Sequence, residues 1–274
     1  MARYRLADRT AVITGAGSGI GRALVHDLAR RGTHLALVER DEGRLAEVVD
    51  EARGVATIRV TGHVLDVTDR PGVAELPALV ERDHGGADLL FNNAGIALEG
   101  DFEEVAAEDF DRVMEVNFHA VVRLTRAFLP LMRRSDEARI VNVSSIFGVI
   151  APAGQTAYCA SKFAVRGFTM ALDHELEGTN VRASVVHPGG VSTNIARDAK
   201  LTSDMTDAEK EERLAMAMKN LVMPPPRAAA IILRGVERRK RRIFVGGDAE
   251  IAQRIERLMP SSYWGLIRQL RKGL

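Results

Sequence analysis

Short apolar runs alternate with longer amphipathic stretches along most of the chain. The apolar runs are rich in valine and isoleucine and are mostly apolar on both faces, which is typical of parallel strands covered by helices on each side. The predicted strands are Ala11–Thr14, Leu35–Val38, Thr57–Val60, Leu89–Asn92, Ile140–Ser144, Val181–Val186 and Ile243–Val245. The predicted helices are Ile20–Arg31, Glu42–Ala52, Val73–Arg82, Glu108–Arg133, Ala157–Glu177 and Arg227–Lys240. This order predicts an α/β fold, a doubly wound parallel sheet of about seven strands with helices on both faces.

Two regions depart from this alternation. Residues 191–223 are polar, contain methionines and end in a proline run, so we expect a lid over a site rather than part of the sheet. Residues 248–274 carry apolar side chains at helical spacing among basic ones and predict a basic amphipathic tail. We expect its apolar face to pack on the lid or on a partner subunit, and contact with a membrane surface is the less favoured alternative. Residues 1–274 are predicted to form one domain.

Composition and charge narrow the class of protein without identifying a chemistry. The chain has 274 residues, of which 46% are hydrophobic and 27% charged, as in an ordinary globular protein. A net charge of +1 gives no indication of a nucleic-acid partner. The single cysteine excludes an intrachain disulfide, and no apolar run approaches the ~20 residues of a membrane span. Because the first residues also lack the apolar core of a signal peptide, we expect a cytoplasmic protein.

A cluster of glycines stands between the first predicted strand and the first predicted helix. The stretch reads TGAGSGIGRA from Thr14 to Ala23. Glycine permits positive φ and a close approach of the backbone, and the next helix offers its free N–H groups to an anion. The spacing fits neither G-x-G-x-x-G nor a P-loop, but it fits T-G-x-x-x-G-x-G. We therefore expect this turn to approach the phosphates of a nucleotide.

The residue at the end of the second predicted strand bears on which nucleotide would bind. Glu39 stands where an acid accepts both ribose hydroxyls of an adenosine, and its charge would repel a 2′-phosphate. Arg40, the next residue, is of a type that binds phosphate well. NAD is therefore the preferred cofactor, and NADP remains the alternative.

Two further motifs follow the glycine turn along the chain. NNAG occupies residues 92–95 and YCASK occupies residues 158–162. With these three motifs in this order, the sequence resembles the short-chain dehydrogenase/reductase family over about 10–244. The resemblance implies a Rossmann-like fold and an NAD(P)-dependent oxidoreductase that acts on CH–OH or C=O groups of a small molecule. It also implies a homodimer or homotetramer, formed through the helices predicted at 108–133 and 157–177.

The resemblance assigns roles to individual residues. The implied cofactor contacts are Gly15, Ser18, Gly19, Ile20 and Gly21 at the pyrophosphate, Glu39 and Arg40 at the ribose, Asp66 and Val67 at the adenine, Asn93, Ala94 and Gly95 in the turn below the cofactor, and Pro188, Gly189, Val191 and Thr193 at the nicotinamide. The implied catalytic residues are Asn117, Ser145, Tyr158 and Lys162. Tyr158 and Lys162 also hold the cofactor in this assignment. Asn117 would hold a relay water, and Ser145 would orient the substrate.

These residue types suit proton transfer to and from an alcohol oxygen. Tyr158 and Lys162 are four residues apart on one predicted helix, so they share a face. A free tyrosine has a pKa of about 10, too high for a base near neutrality. We expect the Lys162 ammonium and an oxidised nicotinamide, both positive, to lower this pKa by ~3 units, which requires ~4 kcal/mol. Ser145 would donate a hydrogen bond to the substrate oxygen as charge develops there.

The expected substrate pocket is apolar. Phe147, Val149 and Ile150 follow the candidate serine, and Ile195 stands at the start of the lid. Lid methionines would add an adaptable apolar wall, namely Met216, Met218 and Met223. We therefore expect a bulky apolar secondary alcohol or ketone, such as a steroid, a terpenoid or a lipid-like compound. The histidines and the cysteine show no metal-ligand spacing, so we expect no catalytic metal.

Two other functions are compatible with the same fold. One is a cofactor-binding regulatory protein without turnover, and the complete set of Ser145, Tyr158 and Lys162 argues against it. The other is an isomerase or dehydratase that uses the bound nucleotide. Such an enzyme would form product without a net change in nicotinamide absorbance.

Overall fold

A seven-stranded parallel sheet forms the centre of the protein, whose computed structural model describes residues 3–195, 198–201, 215, 219 and 221–265. The strands are β1 Thr10–Thr14, β2 His34–Glu39, β3 Val60–Val64, β4 Leu89–Asn92, β5 Leu98–Glu99, β6 Ala138–Val143, β7 Val181–Pro188, β8 Lys200–Leu201 and β9 Arg242–Val245. The sheet order is β3-β2-β1-β4-β6-β7-β9, and β5 pairs with β8 as a separate two-stranded sheet. The predicted doubly wound fold is confirmed.

Helices cover both faces of this sheet. They are α1 Gly19–Arg30, α2 Glu42–Val55, α3 Arg70–His84, α4 Ala107–Met114, α5 Ala120–Met132, α6 Thr156–Glu175, α7 Pro225–Glu237 and α8 Gly247–Leu258. Leu24 and Leu28 give α1 an apolar face, which packs with α7 on one side of the sheet. Leu76 of α3 and Phe128 of α5 belong to the core on the opposite side. These two pairs of helices therefore cover the two faces of the sheet with apolar side chains.

The winding of the sheet reverses at its central strand. β1 pairs with β2 on one side, up to Thr14↔Val38, and with β4 on the other, up to Ile13↔Phe91. In a doubly wound sheet, a crevice opens at such a switch point, outside the carboxyl ends of the strands. Thr14 and Asn92 are the last residues of β1 and β4, so the glycine turn and the NNAG turn both begin at this crevice.

Two elements differ from the prediction. The third strand is Val60–Val64, so the predicted strand Thr57–Val60 is wrong apart from Val60. β3 lies at the sheet edge and only Val60 is buried in it, so it lacks the continuous apolar run that marks the other strands. The helix predicted over 108–133 is interrupted by a π-helical turn, Glu115–His119, which separates α4 from α5.

The ends of the predicted lid meet beside the sheet. Val191 forms a parallel bridge with Met223, and β8 pairs with β5 near the NNAG turn. Met216 and Met218, the other methionines assigned to the lid, lie outside the described residues. Covering of a substrate by this segment stays a prediction.

The described part of the tail packs through small residues. α8 buries Ala249 and Ala252, whereas Ile251 is 57% exposed and Leu258 is 81% exposed. The larger apolar side chains of this helix therefore do not form its packed face. Within the described ranges, no helix combines the length and the apolar character that crossing a membrane requires.

Candidate active site

The glycine turn after β1 adopts the left-handed geometry that glycine tolerates best. Gly15 has a φ of +63° and Gly19 a φ of +53°. Gly21 has no room for a side chain, because a Cβ there would clash with the Gly15 carbonyl oxygen. Ser18 is the N-cap of α1 but makes no side-chain capping hydrogen bond, so it supplies no acceptor to the first N–H groups of the helix. Ile20 packs against the core beneath the turn.

The Thr14 hydroxyl joins the glycine turn to the NNAG turn. Thr14 Oγ1 accepts hydrogen bonds from Asn93 N at 3.0 Å and Ala94 N at 3.1 Å. Asn93 Nδ2 donates in return to Thr14 O at 3.0 Å and to Gly15 O at 3.2 Å. The predicted residues of both turns are thus brought together. We did not assign a role to Thr14 from the sequence, although it is the first residue of the T-G-x-x-x-G-x-G pattern.

The Glu39 carboxylate reaches back to the glycine turn. Glu39 Oε2 accepts a hydrogen bond from Gly17 N at 3.1 Å, and Oε1 accepts one from Arg40 N at 2.9 Å. A Cβ on Gly17 would lie 3.0 Å from Glu39 Cγ, so glycine allows this approach. The Arg40 residue is exposed. An acid therefore lies directly against the loop expected to hold the nucleotide.

Asp66 and Val67, the candidate adenine contacts, follow β3. Asp66 Oδ1 accepts hydrogen bonds from Thr68 N at 2.8 Å and Thr68 Oγ1 at 2.7 Å, and Arg112 contacts Oδ2 at 3.2 Å. Burial raises the pKa of Asp66, but Thr68 and Arg112 together lower it below its usual value. Val67 is buried in the core. The short turn at Asp66 is therefore held by Thr68 and Arg112.

Asn117 lies in the π-helical turn, Glu115–His119, and is fully buried. Its Oδ1 accepts a hydrogen bond from Ile96 N at 2.9 Å, and its Nδ2 donates to Ile96 O at 3.0 Å and Ser161 Oγ at 3.0 Å. A Cβ on Gly95 would lie 3.1 Å from Asn117 Oδ1 and 3.3 Å from Lys162 Nζ, so Gly95 separates these side chains. Asn117 therefore anchors the chain just after the NNAG turn; its role in holding a water stays a prediction.

The three other candidate catalytic residues lie at the carboxyl end of β6 and on α6. Tyr158, Lys162 and Ser145 are all buried, with 9%, 3% and 8% of their surface exposed. Lys162 Nζ donates to Val143 O at 3.1 Å and lies 5.6 Å from the centre of the Tyr158 ring. The four-residue spacing predicted for Tyr158 and Lys162 thus places both on the face of α6 that packs on the sheet. Ser144 instead bonds the Lys162 carbonyl at 2.8 Å.

Burial shifts both titratable groups of this pair towards their neutral forms. It raises the pKa of Tyr158 to about 12, although the neighbouring Ser145 hydroxyl lowers it. It lowers the pKa of Lys162 to about 8. The predicted lowering of the tyrosine pKa is thus absent in the protein alone, because desolvation disfavours the phenolate. At neutral pH the phenol is protonated and can act as a proton donor.

The candidate nicotinamide segment follows β7, which ends at Pro188. Val191 N donates to Gly189 O at 2.9 Å, which curls the segment into a tight turn. A Cβ on Gly19 would lie 3.0 Å from Thr193 Cγ2. The end of this segment therefore contacts the glycine turn.

The loop after Ser145 joins the candidate catalytic tyrosine to the tail. Phe147 packs edge-on against Tyr158, with ring centres 6.2 Å apart. Val149 and Ile150 are buried against Ala252 of α8. These candidate substrate residues thus lie together, but two of them face the tail. Ile195 is half-buried at the start of the lid.

Several residues of this region were not predicted from the sequence. Tyr263 Oη accepts a hydrogen bond from Ala151 N at 3.0 Å, and the His187 Nδ1 lies 3.0 Å from Ser145 O. Asp248 Oδ2 accepts one from Gly190 N at 2.6 Å. Tyr263 and Asp248 reach the site only after the chain folds back past β9, so no local pattern marks them. His187 stands directly before Pro188, and this position in the candidate nicotinamide segment was its only indication in the sequence.

Comparison with known proteins shows which family this chain belongs to. The sequence pattern of the short chain dehydrogenases matches residues 9–204. The chain belongs to the short-chain dehydrogenase family. This match confirms the resemblance drawn from the motifs. The members of this family are oxidoreductases.

Among the described residues, no group of three or more histidine, cysteine, aspartate or glutamate side chains could hold a metal ion.

Individual relatives cover nearly the whole chain. The putative oxidoreductase SadH of Mycobacterium tuberculosis is 40% identical over 263 residues, which are 94% of each protein. The 3-oxoacyl-acyl-carrier-protein reductase FabG of Thermotoga maritima is 34% identical over 229 residues, 84% of this chain and 90% of its own. A short-chain dehydrogenase/reductase from Burkholderia phymatum, crystallised with NAD, superposes with a TM-score of 0.85 at 29% identity. It covers 93% of this chain and 94% of its own.

We expect Asn117→Ala to lower both stability and turnover. The change leaves Ile96 N–H, Ile96 C=O and the Ser161 hydroxyl without their partner, which costs roughly 1–3 kcal/mol of unfolding free energy. The matched control is Asn180→Ala, since Asn180 Nδ2 also bonds backbone carbonyls. Asn180 stands just before β7, at the amino ends of the strands and away from the candidate site. Denaturant unfolding and turnover per folded molecule are measured for both variants. Wild-type turnover in Asn117→Ala would show that Asn117 serves folding alone.

Proposed function

We propose that this protein is a nicotinamide-dependent oxidoreductase that interconverts a secondary alcohol and a ketone. One observation carries the proposal. A buried tyrosine and a buried lysine, Tyr158 and Lys162, lie beside Ser145 at the carboxyl end of the central strands. Proton transfer at an alcohol or carbonyl oxygen requires such a group in a site that excludes water.

The residues around the crevice fit a dinucleotide. The positive φ values at Gly15 and Gly19 and the missing room at Gly21 describe a turn that a phosphate can approach closely. The start of α1 adds N–H groups that favour an anion. Glu39 would accept the ribose hydroxyls, and Lys162 would contact the second ribose. When bound, the nicotinamide would supply or accept the hydride.

The chain's own residues would manage the proton. In carbonyl reduction, Tyr158 Oη donates its proton to the carbonyl oxygen, and Ser145 Oγ donates a hydrogen bond to the same oxygen. The raised pKa of Tyr158, about 12, keeps this proton on the phenol until substrate arrives. Lys162 stabilises the negative charge that then develops on the phenolate. In alcohol oxidation the proton moves in the opposite direction, so the rate should rise with pH.

We propose NAD as the preferred cofactor, with NADP as the alternative. The Glu39 carboxylate lies against Gly17, where it would meet the adenosine ribose and repel a 2′-phosphate. The Burkholderia relative was solved with NAD, which supports the same choice. Exposed Arg40 offers the charge that would favour NADP instead.

Replacing Glu39 should change the preference between the two cofactors. We expect Glu39→Ala to lower the ratio of kcat/KM with NAD to kcat/KM with NADP by about tenfold or more. Loss of the carboxylate removes charge-assisted hydrogen bonds to the ribose and relieves its repulsion of a 2′-phosphate. Arg40→Ala should shift the ratio in the opposite direction. Steady-state kinetics with both cofactors measure the ratio. A wild-type enzyme that already prefers NADP would contradict this role of Glu39.

The substrate that we propose is bulky and apolar, such as a steroid, a terpenoid or a lipid-like compound. Phe147 packs edge-on against the Tyr158 ring and so places an apolar side chain beside the proposed proton donor, whereas Val149 and Ile150 face the tail. A panel of alcohols and ketones with NAD and NADP, followed through nicotinamide absorbance and product analysis, tests the proposal. Turnover only of small polar alcohols would refute the apolar substrate. Product formed without any absorbance change would favour an isomerase or dehydratase.

A further inference from the structure

The carboxylate of Asp248 lies in a cradle of glycine backbone. Asp248 Oδ2 accepts a hydrogen bond from Gly190 N at 2.6 Å. A Cβ on Gly189 or on Gly246 would clash with the Asp248 carboxylate oxygens. Gly189 and Gly246, from two distant parts of the chain, thus leave room for this carboxylate, and Gly190 donates a hydrogen bond to it. The carboxylate of Asp248, an exposed residue, therefore links the end of β7 to the start of α8.

The position of Asp248 in α8 does not by itself explain this contact. Acids in the first turn of a helix interact favourably with the helix dipole, and both Asp248 and Glu250 stand in that turn. Asp248, however, turns its carboxylate to a backbone N–H of another segment, and no hydrogen bond of this kind occurs at Glu250 among the described side-chain contacts. Glu250 is therefore a matched control for any effect of the helix dipole.

Gly190 is fixed from two sides. Its N–H donates to Asp248, and its carbonyl accepts a hydrogen bond from Met223 N at 2.9 Å. The next residues continue this link, since Ser192 N donates to Met223 O at 2.8 Å. Both polar backbone atoms of Gly190 are thus used, one by α8 and one by the end of the predicted lid. The course of residues 188–193 depends on these two anchors.

We propose that Asp248 is a positioning residue for the segment 188–193, the segment expected to hold the nicotinamide half of the cofactor. The inference rests on the proposed function. Removing the carboxylate frees Gly190 N–H and opens the cradle, so Val191 and Thr193 lose their fixed places beside the glycine turn. The contacts of the adenosine half, at Gly15–Gly21 and Glu39, do not involve Asp248.

The first test measures the segment itself in the protein without cofactor. Amide hydrogen exchange at Gly190 is compared in wild type, Asp248→Ala, Asp248→Asn and Glu250→Ala. We expect exchange at Gly190 to be faster by about tenfold or more in Asp248→Ala, because the bond that protects this amide is lost. Asparagine keeps an oxygen acceptor of the same shape, so Asp248→Asn should remain close to wild type, as should Glu250→Ala. Unchanged exchange in Asp248→Ala would overturn the proposal.

The second test separates positioning from general damage to the fold. NAD and ADP-ribose, which lacks the nicotinamide, are titrated into the same proteins by calorimetry. We expect Asp248→Ala to weaken the affinity for NAD by about tenfold and to leave the affinity for ADP-ribose within about twofold of wild type. A tenfold loss is the size of effect expected when one charge-assisted hydrogen bond is removed. Parallel weakening of both ligands, or wild-type affinity for NAD, would overturn the proposal. Failure of the proposed function is seen separately, as wild-type protein that binds neither NAD nor NADP.

Discussion

Tyr158→Phe should abolish nearly all turnover and leave cofactor affinity unchanged. The substitution removes only the phenolic oxygen, and general acid–base catalysis by a positioned side chain contributes about 10²–10⁴-fold to rate. The ring remains in place against Phe147 and beneath Lys162, so the packing of the site is kept. Because phenylalanine fills the same buried space, we expect little change in the free energy of unfolding. Steady-state kinetics and cofactor titration measure the two effects.

Tyr4→Phe is the matched control. Tyr4 is also buried, and its hydroxyl donates to Glu137 O at 3.4 Å and Asp88 O at 3.5 Å, just before the amino ends of β6 and β4 and opposite the strand ends that carry the candidate site. This variant should fold and turn over like wild type. If Tyr158→Phe retained near wild-type turnover, the assignment of the proton donor would be wrong. If both variants lost activity equally, the loss would reflect folding rather than chemistry.

Lys162→Met should lower turnover by about 10²–10³-fold, the loss expected when one electrostatic group is removed from a reacting oxygen. Methionine keeps the length and apolar stem of the side chain without its charge. Without this positive charge the phenolate of Tyr158 is less stable. The increase of kcat/KM with pH in alcohol oxidation should therefore occur at higher pH than in wild type. A pH profile of oxidation measures this shift. Lys240→Met, at an exposed position, should leave the profile unchanged.

The same variant should not be less stable than wild type. Burial lowers the pKa of Lys162 from 10.5 to about 8, so the charged form costs about 3 kcal/mol of folding free energy below pH 8. Between the folded and unfolded pKa values the unfolded chain binds more protons, and wild-type stability therefore rises with pH from about 8 towards 10.5. Lys162→Met should lack this rise. Denaturant unfolding at several pH values checks the sign, and a variant strongly destabilised at neutral pH would contradict it.

The sequence predicted the architecture because the buried parallel strands carry continuous apolar runs. The candidate catalytic residues came from the motifs that resemble the short-chain dehydrogenase/reductase family, and the structure brings Ser145, Tyr158 and Lys162 together at the carboxyl end of β6 and on α6. β3 was misplaced because an edge strand needs only one buried residue, Val60. The π-helical turn at Asn117 has no periodic signal, and it interrupts a helix whose apolar pattern is otherwise regular.

Other features of the site depend on contacts between distant segments. Asp248 and Tyr263 reach the loops after β7 and β6 from beyond β9, and nothing in their local sequence indicates a partner at Gly190 or Ala151. The raised pKa of Tyr158 likewise results from the packed surroundings of its ring rather than from its spacing to Lys162. Sequence motifs thus identified which residues meet, whereas burial decides the protonation state in which they meet.

Isotope transfer tests the central claim most directly. Purified wild-type protein is supplied with a reduced nicotinamide cofactor in which deuterium replaces both hydrogens of the reactive ring carbon, together with a ketone substrate, and the product is examined by mass spectrometry. We expect the alcohol to carry a single deuterium on the former carbonyl carbon, and we expect almost none of this product from Tyr158→Phe. Alcohol or other product without deuterium, or equal labelling by Tyr158→Phe, would contradict hydride transfer assisted by Tyr158.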